Sequence, residues 1–412
     1  MQVVVIGAGA AGLMAAMEAS RRSANVLLLE KNNKTGVKIL MSGGTRCNLT
    51  HDTDAQGIAR AFGHAKRFLQ PSLGAMPPDA VIRLFNEAGV ETKVESTGKV
   101  FPVSNRAVHV RDALHRLAIE SGVEIRTGTG VRELAKRDNG WSVHTDGETI
   151  FADRLIVAVG GRSWPGCGTT GDAYHWMSRL GHAIVTPRPA LVPLVGGEAW
   201  MHELSGLAIE DSVASVLPAA GKQKPLVIRR GALLFTHFGF SGPAAMDVSG
   251  AMTAAESFDH VRLVVDLLPE RSDDEIRDAL SDRQHDGGRP KVSSILSQWL
   301  PNRLASAIIR TIDSDHAIAE LPKQSRATLI QSLKQLRLPV HDTRGFDKAE
   351  VTAGGVSLKE VDPRTMQSRL HPGLFIVGEL LDVDGPIGGY NFQAAFSTGR
   401  AAGIAAATIG LD

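Results

Sequence analysis

Val3-Val4-Val5-Ile6-Gly7-Ala8-Gly9-Ala10-Ala11-Gly12-Leu13-Met14 is the stretch that decides the fold. Its first four residues are all β-branched, as in a strand buried on both faces. Gly7, Gly9 and Gly12 then spell G-x-G-x-x-G. The small-residue stretch 11–22 reads as a helix, and the apolar run 26–29 as a second strand ending at Glu30. Strand, glycine turn, helix and strand open a βαβ unit, which places the chain among α/β folds that bind nucleotides. Gly7 permits the tight turn, Gly9 lets backbone approach a pyrophosphate, and Gly12 allows close helix packing. The helix N-terminus favours phosphate charge, and the Glu30 carboxylate can accept hydrogen bonds from ribose hydroxyls. The candidate dinucleotide contacts are therefore Gly7, Ala8, Gly9, Ala10, Ala11, Gly12, Glu30 and Lys31.

The same spelling recurs at Gly166-Cys167-Gly168-Thr169-Thr170-Gly171. The strand read at 154–159 ends too early to feed it, so it reads as a loop over the same ligand or its substrate rather than a second Rossmann site. Residues 31–50 read as a Gly/Lys/Asn-rich loop, and Pro77-Pro78 opens a helix that Gly89 closes. A helix is expected at 106–121 with Ser104 or Asn105 as its cap, followed by short strands near 123–126, 130–136, 141–145 and 149–152. From about Pro187, proline-punctuated strands (191–195, 208–217, 225–229, 261–267) give way to charged helices (273–284, 301–312, 324–335). The α/β pattern then returns, with a strand at 374–377 and a small-residue helix at 393–409. The predicted organisation is a nucleotide-binding domain in two parts, 1–189 and 351–412. An inserted domain, 190–350, lies between them, β-barrel-like at about 190–268 and helical at about 270–338.

The 412 residues carry 45 basic and 44 acidic side chains and are 43% hydrophobic, which excludes a disordered chain. Two cysteines exclude a disulfide framework and fit a reducing cytoplasm. No Cys/His cluster has zinc spacing, so no metal is expected. Residues 1–17 are uncharged, but they lack the basic opening of a signal peptide and are too short and glycine-broken for a membrane span. Between 190 and 350 there are 18 basic and 21 acidic residues, so no domain is strongly basic. Two local basic patches remain, Lys222, Lys224, Arg229 and Arg230, and Lys323, Arg326, Lys334 and Arg337.

Further segments are distinctive. They include Met41-Ser42-Gly43-Gly44-Thr45-Arg46-Cys47-Asn48-Leu49-Thr50, Val100-Phe101-Pro102-Val103-Ser104-Asn105 and Ala158-Val159-Gly160-Gly161. Leu234-Phe235-Thr236-His237-Phe238-Gly239-Phe240-Ser241-Gly242-Pro243 lies in the inserted region. Near the end come Val351-Thr352-Ala353-Gly354-Gly355-Val356, Gly378-Glu379-Leu380-Leu381-Asp382-Val383-Asp384-Gly385 and Gly388-Gly389-Tyr390-Asn391-Phe392-Gln393. With the fingerprint, and over nearly the whole chain, they resemble the BaiN-like or RdsA-like FAD-dependent flavoproteins. The departures are small: Thr45 stands where that family usually has Gly, and Trp164 where Tyr is common.

The resemblance implies a Rossmann-like FAD-binding domain of the glutathione-reductase type with an inserted β-rich plus helical domain, and FAD as the tightly held nucleotide. It implies FAD contacts from Gly43, Arg46, Cys47 and Asn48 in the signature loop, and from Val131. Ala158, Gly160 and Gly161 would lie against the adenosine half. Glu379, beside Gly378, is expected to bond a ribityl hydroxyl. Gly388 and Gly389 precede the last helix, so its first amides, with Tyr390, can face the flavin; Asn391 serves there or as an ordinary helix cap. The implied chemistry is saturation of an activated C=C bond, by hydride on one carbon and a proton from an acid on the other. Uracil in ribosomal RNA, giving dihydrouridine, is the first substrate class and a steroid-like enone the second. An amine oxidase and a non-enzymatic flavin-bound redox sensor stay as alternatives. Candidate acids are Cys47, whose pKa the neighbouring Arg46 is expected to lower, Tyr390 and His237. The partner is ribosomal RNA or a small molecule, with no membrane. NAD(P)H stays open as external reductant, and the sequence is silent on oligomeric state.

Overall fold

The computed structural model describes residues 1–408 apart from 222–223, 282–289 and 312–314. It divides into two compact units, Met1–Arg188 with Glu350–Asp412, and Pro189–Ala349.

In the first unit the β-branched run becomes the central strand Gln2–Ile6 of a five-stranded parallel sheet. Asn25–Leu29 pairs on one side and Arg154–Val157 on the other. Glu124–Arg126 and Leu374–Ile376 take the two edges. Val3, Val4 and Val5 are completely buried, which is why this strand is apolar on both faces. The helix Ala10–Ser20 leaves the glycine turn and packs along the last helix, Tyr390–Thr408. Gly399 and Gly403 permit that approach, because a Cβ at either would sit 2.3 Å from the carbonyl oxygen of Ala11 or Ala15. Three antiparallel strands, Val131–Arg137, Gly140–Thr145 and Thr149–Ala152, form a meander before Arg154–Val157.

Three local expectations change. The 31–50 loop contains a short helix, Val37–Met41, entered from Gly36 in the left-handed region. The helix Ala107–Glu120 has Arg106 at its N-cap and no side-chain cap. Ser104 meets His109 instead, and the Asn105 side-chain oxygen Oδ1 accepts from Arg46. The last helix begins at Tyr390, directly after the left-handed Gly388 and Gly389, rather than at 393. Its expected end at Ile409 lies outside the described residues.

The second unit holds a seven-stranded antiparallel sheet, in order Leu336–Leu338, Val261–Asp266, Ala208–Pro218, Val227–Thr236, Gly239–Ser241, Leu194–Gly196 and Val340–Thr343. The two edge strands are consecutive in the chain, separated only by Pro339. Proline supplies no amide to a ladder, so one extended segment breaks there and serves both edges. Helices Gly242–Ala254 and Val292–Trp299 were not expected from the sequence. The charged helices appear as Asp273–Ala279, Asn302–Thr311 and Lys323–Lys334; residues 282–284 and 312 of the expected spans lie outside the described residues. Gly239 and Gly242 are packing positions, since Cβ atoms there would meet the Leu194 and Ala232 carbonyl oxygens at 2.3 and 2.7 Å.

Candidate functional site

The turn after the first strand is built by contrast between its glycines. Gly7 adopts φ +96° against Ala158, and a Cβ on Gly12 would lie 1.8 Å from the Gly7 carbonyl oxygen. At Gly9 nothing lies within 4 Å of the same position. Among the described residues no side chain caps the helix that Gly9 opens, so its first-turn amides lack a side-chain acceptor. A buried turn, one open glycine and an uncapped helix N-terminus fit a pyrophosphate.

Glu30 closes the other side. Its carboxylate accepts from Ala8 N and Asn32 N, both at 2.8 Å, which fixes the acid at the strand end with lone pairs to spare. The loop leading to Val131 joins it, because Thr129 N donates to the Glu30 carbonyl. Lys31 is held at 2.7 Å by Thr170 and 2.8 Å by Asp172. Asn32 donates to the Cys167 carbonyl. The second glycine loop therefore packs on residues 31–32, and it opens in a 3-10 turn, Pro165–Cys167, rather than directly after a strand.

Ala158 packs against the Gly7–Gly12 turn, and Gly160 follows at φ +78°. Gly161 is a close-approach position, since its Cβ would lie 2.4 Å from Thr352 Oγ1 and 2.8 Å from Glu379 Oε1. Gly378 begins a 3-10 turn, Gly378–Leu380. Glu379 within it accepts from Thr352 N at 2.9 Å and Ser163 Oγ at 2.7 Å, and pairs with Lys38 at 2.5 Å. The carboxylate expected to bond a ribityl hydroxyl is thus already the centre of a polar knot. Lys38, its partner, carried no sequence signal.

The signature loop and the last helix are stapled together. With its amide oriented to satisfy its neighbours, Asn48 accepts from Gly389 N at 3.0 Å and donates to Thr50 and Val100 carbonyls. Gly389 can only be glycine, because a Cβ would lie 2.5 Å from Thr50 backbone. Gln393 is fully buried, accepting from Thr50 Oγ1 and donating to the Met76 carbonyl and Ser397. Asn391 closes the 385–391 loop through Gly385 N and the Gly385 carbonyl, so it is not a helix cap. Tyr390 stacks on His51 with ring centroids 4.9 Å apart.

Within the signature loop, Gly43, Gly44, Thr45 and Cys47 all have positive φ. Thr45 at +68° is a β-branched residue in the left-handed region, which costs about 1–2 kcal/mol. Thr45→Gly is expected to raise unfolding stability by about 1 kcal/mol in urea melts, after the entropy of the added glycine is offset. The expectation for Cys47 needs correcting. Arg46 turns away from it, onto the Phe101 ring at 4.0 Å, Glu95 and Asn105. The thiol is completely buried, and burial pushes it up to about 12 despite a hydrogen bond with Ser42. A thiol so placed holds its proton and meets no solvent. Cys47→Ala is expected to keep turnover within about threefold and to lower stability by about 1 kcal/mol.

His237 belongs to the second unit, exposed in the turn between Val227–Thr236 and Gly239–Ser241, edge-on to Phe238. One cation in each basic patch of that unit is paired with carboxylates. Arg230 pairs with Asp211 and Glu270, and Lys334 with Asp266. Lys222 lies outside the described residues. Among the described residues, no helix is long and apolar enough to cross a membrane.

Parallel sheet, glycine turn, uncapped helix and strand-end acid define a Rossmann-type dinucleotide-binding protein. The family described as "HI0933-like protein Rossmann domain" matches residues 1–405, and the chain belongs to it. The 3-dehydro-bile acid delta(4,6)-reductase of Clostridium scindens is 32% identical over 98% of this chain and 99% of its own. The ribosomal RNA dihydrouridine synthase of Escherichia coli is 32% identical over 96% and 95%. That of Haemophilus influenzae is 30% identical over 97% of each. Among solved structures, quinol fumarate reductase FrdA of E. coli matches with TM-score 0.50 and 15% identity, covering 99% of this chain and 70% of that one, a likeness of fold.

Proposed function

We propose that the protein saturates an activated carbon–carbon double bond, and that its substrate is uracil in ribosomal RNA, giving dihydrouridine. The observation that carries this is end-to-end similarity to two ribosomal RNA dihydrouridine synthases and to a bile acid reductase, whose named activities share reduction of a conjugated C=C bond. When bound, FAD supplies two-electron hydride chemistry suited to such a bond. The chain holds the dinucleotide with Gly7 to Gly12, Glu30 and Gly161, and faces it with the strap and helix start at Gly388 to Tyr390. An external donor such as NAD(P)H recharges the enzyme.

A small-molecule enone is the second reading, and the paired state of Arg230 and Lys334 favours it, since a phosphate backbone would have to displace their carboxylates. One experiment separates the two. The reduced holoenzyme is incubated with ribosomal RNA free of dihydrouridine, and in parallel with a cyclic enone. A gain of two hydrogens on one uridine, read by mass spectrometry, supports the first reading. Reduction of the enone alone moves the assignment to the second, and reduction of neither removes both.

A further inference from the structure

Burial alternates along residues 381–385. Leu381, Val383 and Gly385 are buried, while Asp382 and Asp384 share the opposite, half-buried face. His64, in the 3-10 turn Gly63–Ala65, covers that face. Its Nε2 lies 3.2 Å from Asp382 Oδ2 and 3.0 Å from the Asp382 carbonyl oxygen, while the side chain is 55% exposed. A ring nitrogen of His64 and carboxylate oxygens of Asp382 and Asp384 all lie within 4.8 Å of one another. A continuous series of titratable groups thus runs from solvent to Asp384.

The charged groups facing Asp384 are His64 from the turn, Asp382 on its own segment, Glu379 from the turn Gly378–Leu380, and Arg188 from the strand Ile184–Ala190. Among the described residues, the Arg188 Nε is buried without a hydrogen-bond acceptor. A buried guanidinium N–H without a partner calls for an oxygen that the folded chain does not supply. The segment carrying Asp384 leads directly into Gly388, Gly389 and Tyr390, the end of the site proposed to face the flavin.

We propose that Asp384 donates the proton of the reaction, that His64 reloads it from solvent, and that Arg188 holds the substrate oxygen on which negative charge builds. This rests on the double-bond reading above. Saturation of a C=C bond conjugated to a carbonyl adds a hydride, with its electron pair, at one carbon. The π pair shifts toward the carbonyl oxygen, where a guanidinium N–H stabilises it. The Asp384 O–H bond breaks as the second C–H bond forms. The resulting carboxylate takes a proton from the His64 imidazolium, which takes one from water. The electrostatics agree. Burial raises the Asp384 carboxyl against the opposing pull of His64 and Arg188, and the bond to Asp382 raises His64 to about 8. Each shift favours the proton-carrying form relative to the free side chain.

Two measurements test this. The first needs no substrate: infrared difference spectra of the holoenzyme and Asp384→Asn at neutral pH should show the carbonyl stretch of a protonated acid, absent from the variant. Arg188→Met removes an opposing cation and should carry that band to higher pH. A band absent from the wild type, or unmoved in Arg188→Met, overturns the proposal. The second uses the substrate that the wild type reduces. Asp384→Asn and Arg188→Met should each slow product formation by about 100-fold or more while the enzyme is still reduced at the normal rate. His64→Gln should abolish the fall in rate as pH rises through about 8. Unchanged product formation in both slow-step variants overturns the assignment and leaves the double-bond reading standing. A wild type that reduces neither ribosomal RNA nor a cyclic enone removes that reading, and the proposal with it.

Discussion

Gly12→Val is expected to give a chain that purifies without flavin and unfolds at markedly lower denaturant than the parent. The Cβ alone would lie 1.8 Å from the Gly7 carbonyl oxygen and 3.2 Å from the Ala158 Cβ. The first of these is backbone and belongs to the turn itself, so relief requires moving the helix Ala10–Ser20. That helix is pinned from its other side by the backbone contacts of Gly399 and Gly403. Overpacking with no flexible neighbour belongs among the severe substitutions, above about 4 kcal/mol. Gly9→Ala is the contrast. Its Cβ would enter open space and its φ of −81° suits any residue, so the fold should survive while the approach path is narrowed. Flavin absorbance per chain, together with urea melts, reads both variants. A Gly12→Val protein that is yellow and of normal stability would contradict the packing argument.

Glu379→Ala is expected to cost about 3 kcal/mol and to weaken FAD retention by at least about tenfold. The substitution removes the acceptor of Thr352 N and Ser163 Oγ and leaves the Lys38 ammonium without its carboxylate. Both partners are less than a third exposed, so water restores only part of the loss. Lys38→Met combined with Glu379→Ala should be less damaging than the two singles summed, with a coupling of about 1–3 kcal/mol in a double-mutant cycle. Additive losses would mean that Lys38 and Glu379 act independently.

The parts legible in the sequence were those whose physics is local. Gly7, Gly9, Gly12 and Glu30 lie within one βαβ turn, so spacing alone announced the sheet and its ligand class. Gly389 was visible as a motif, but its cause, the Thr50 backbone at 2.5 Å, was not. The Lys38–Glu379 pair spans 341 positions, and no periodicity connects its ends. Arg188 lies in a proline-flanked stretch that offers no motif, and His64 sits in a 3-10 turn far from Asp382 in sequence. Cys47 was misread because adjacency in sequence was taken for adjacency in space. Arg46 is one residue away, yet the left-handed turn aims it at Phe101 and Glu95.

The pairing of Leu374–Ile376 with Arg154–Val157, and of Tyr390–Thr408 with Ala10–Ser20, also sets a timetable for synthesis. At about 5–20 residues per second, roughly 20 to 80 seconds separate the first helix from the last on the ribosome. During that interval the nascent chain presents a helix whose alanine face has no cover and a sheet with one edge missing. The segment 189–349 emerges meanwhile with a core of its own and can fold while the ends wait. The nucleotide turn is made well before the glycine helix that locks it. A nascent chain stalled before Leu374 would therefore carry the whole fingerprint and still be unable to hold its dinucleotide.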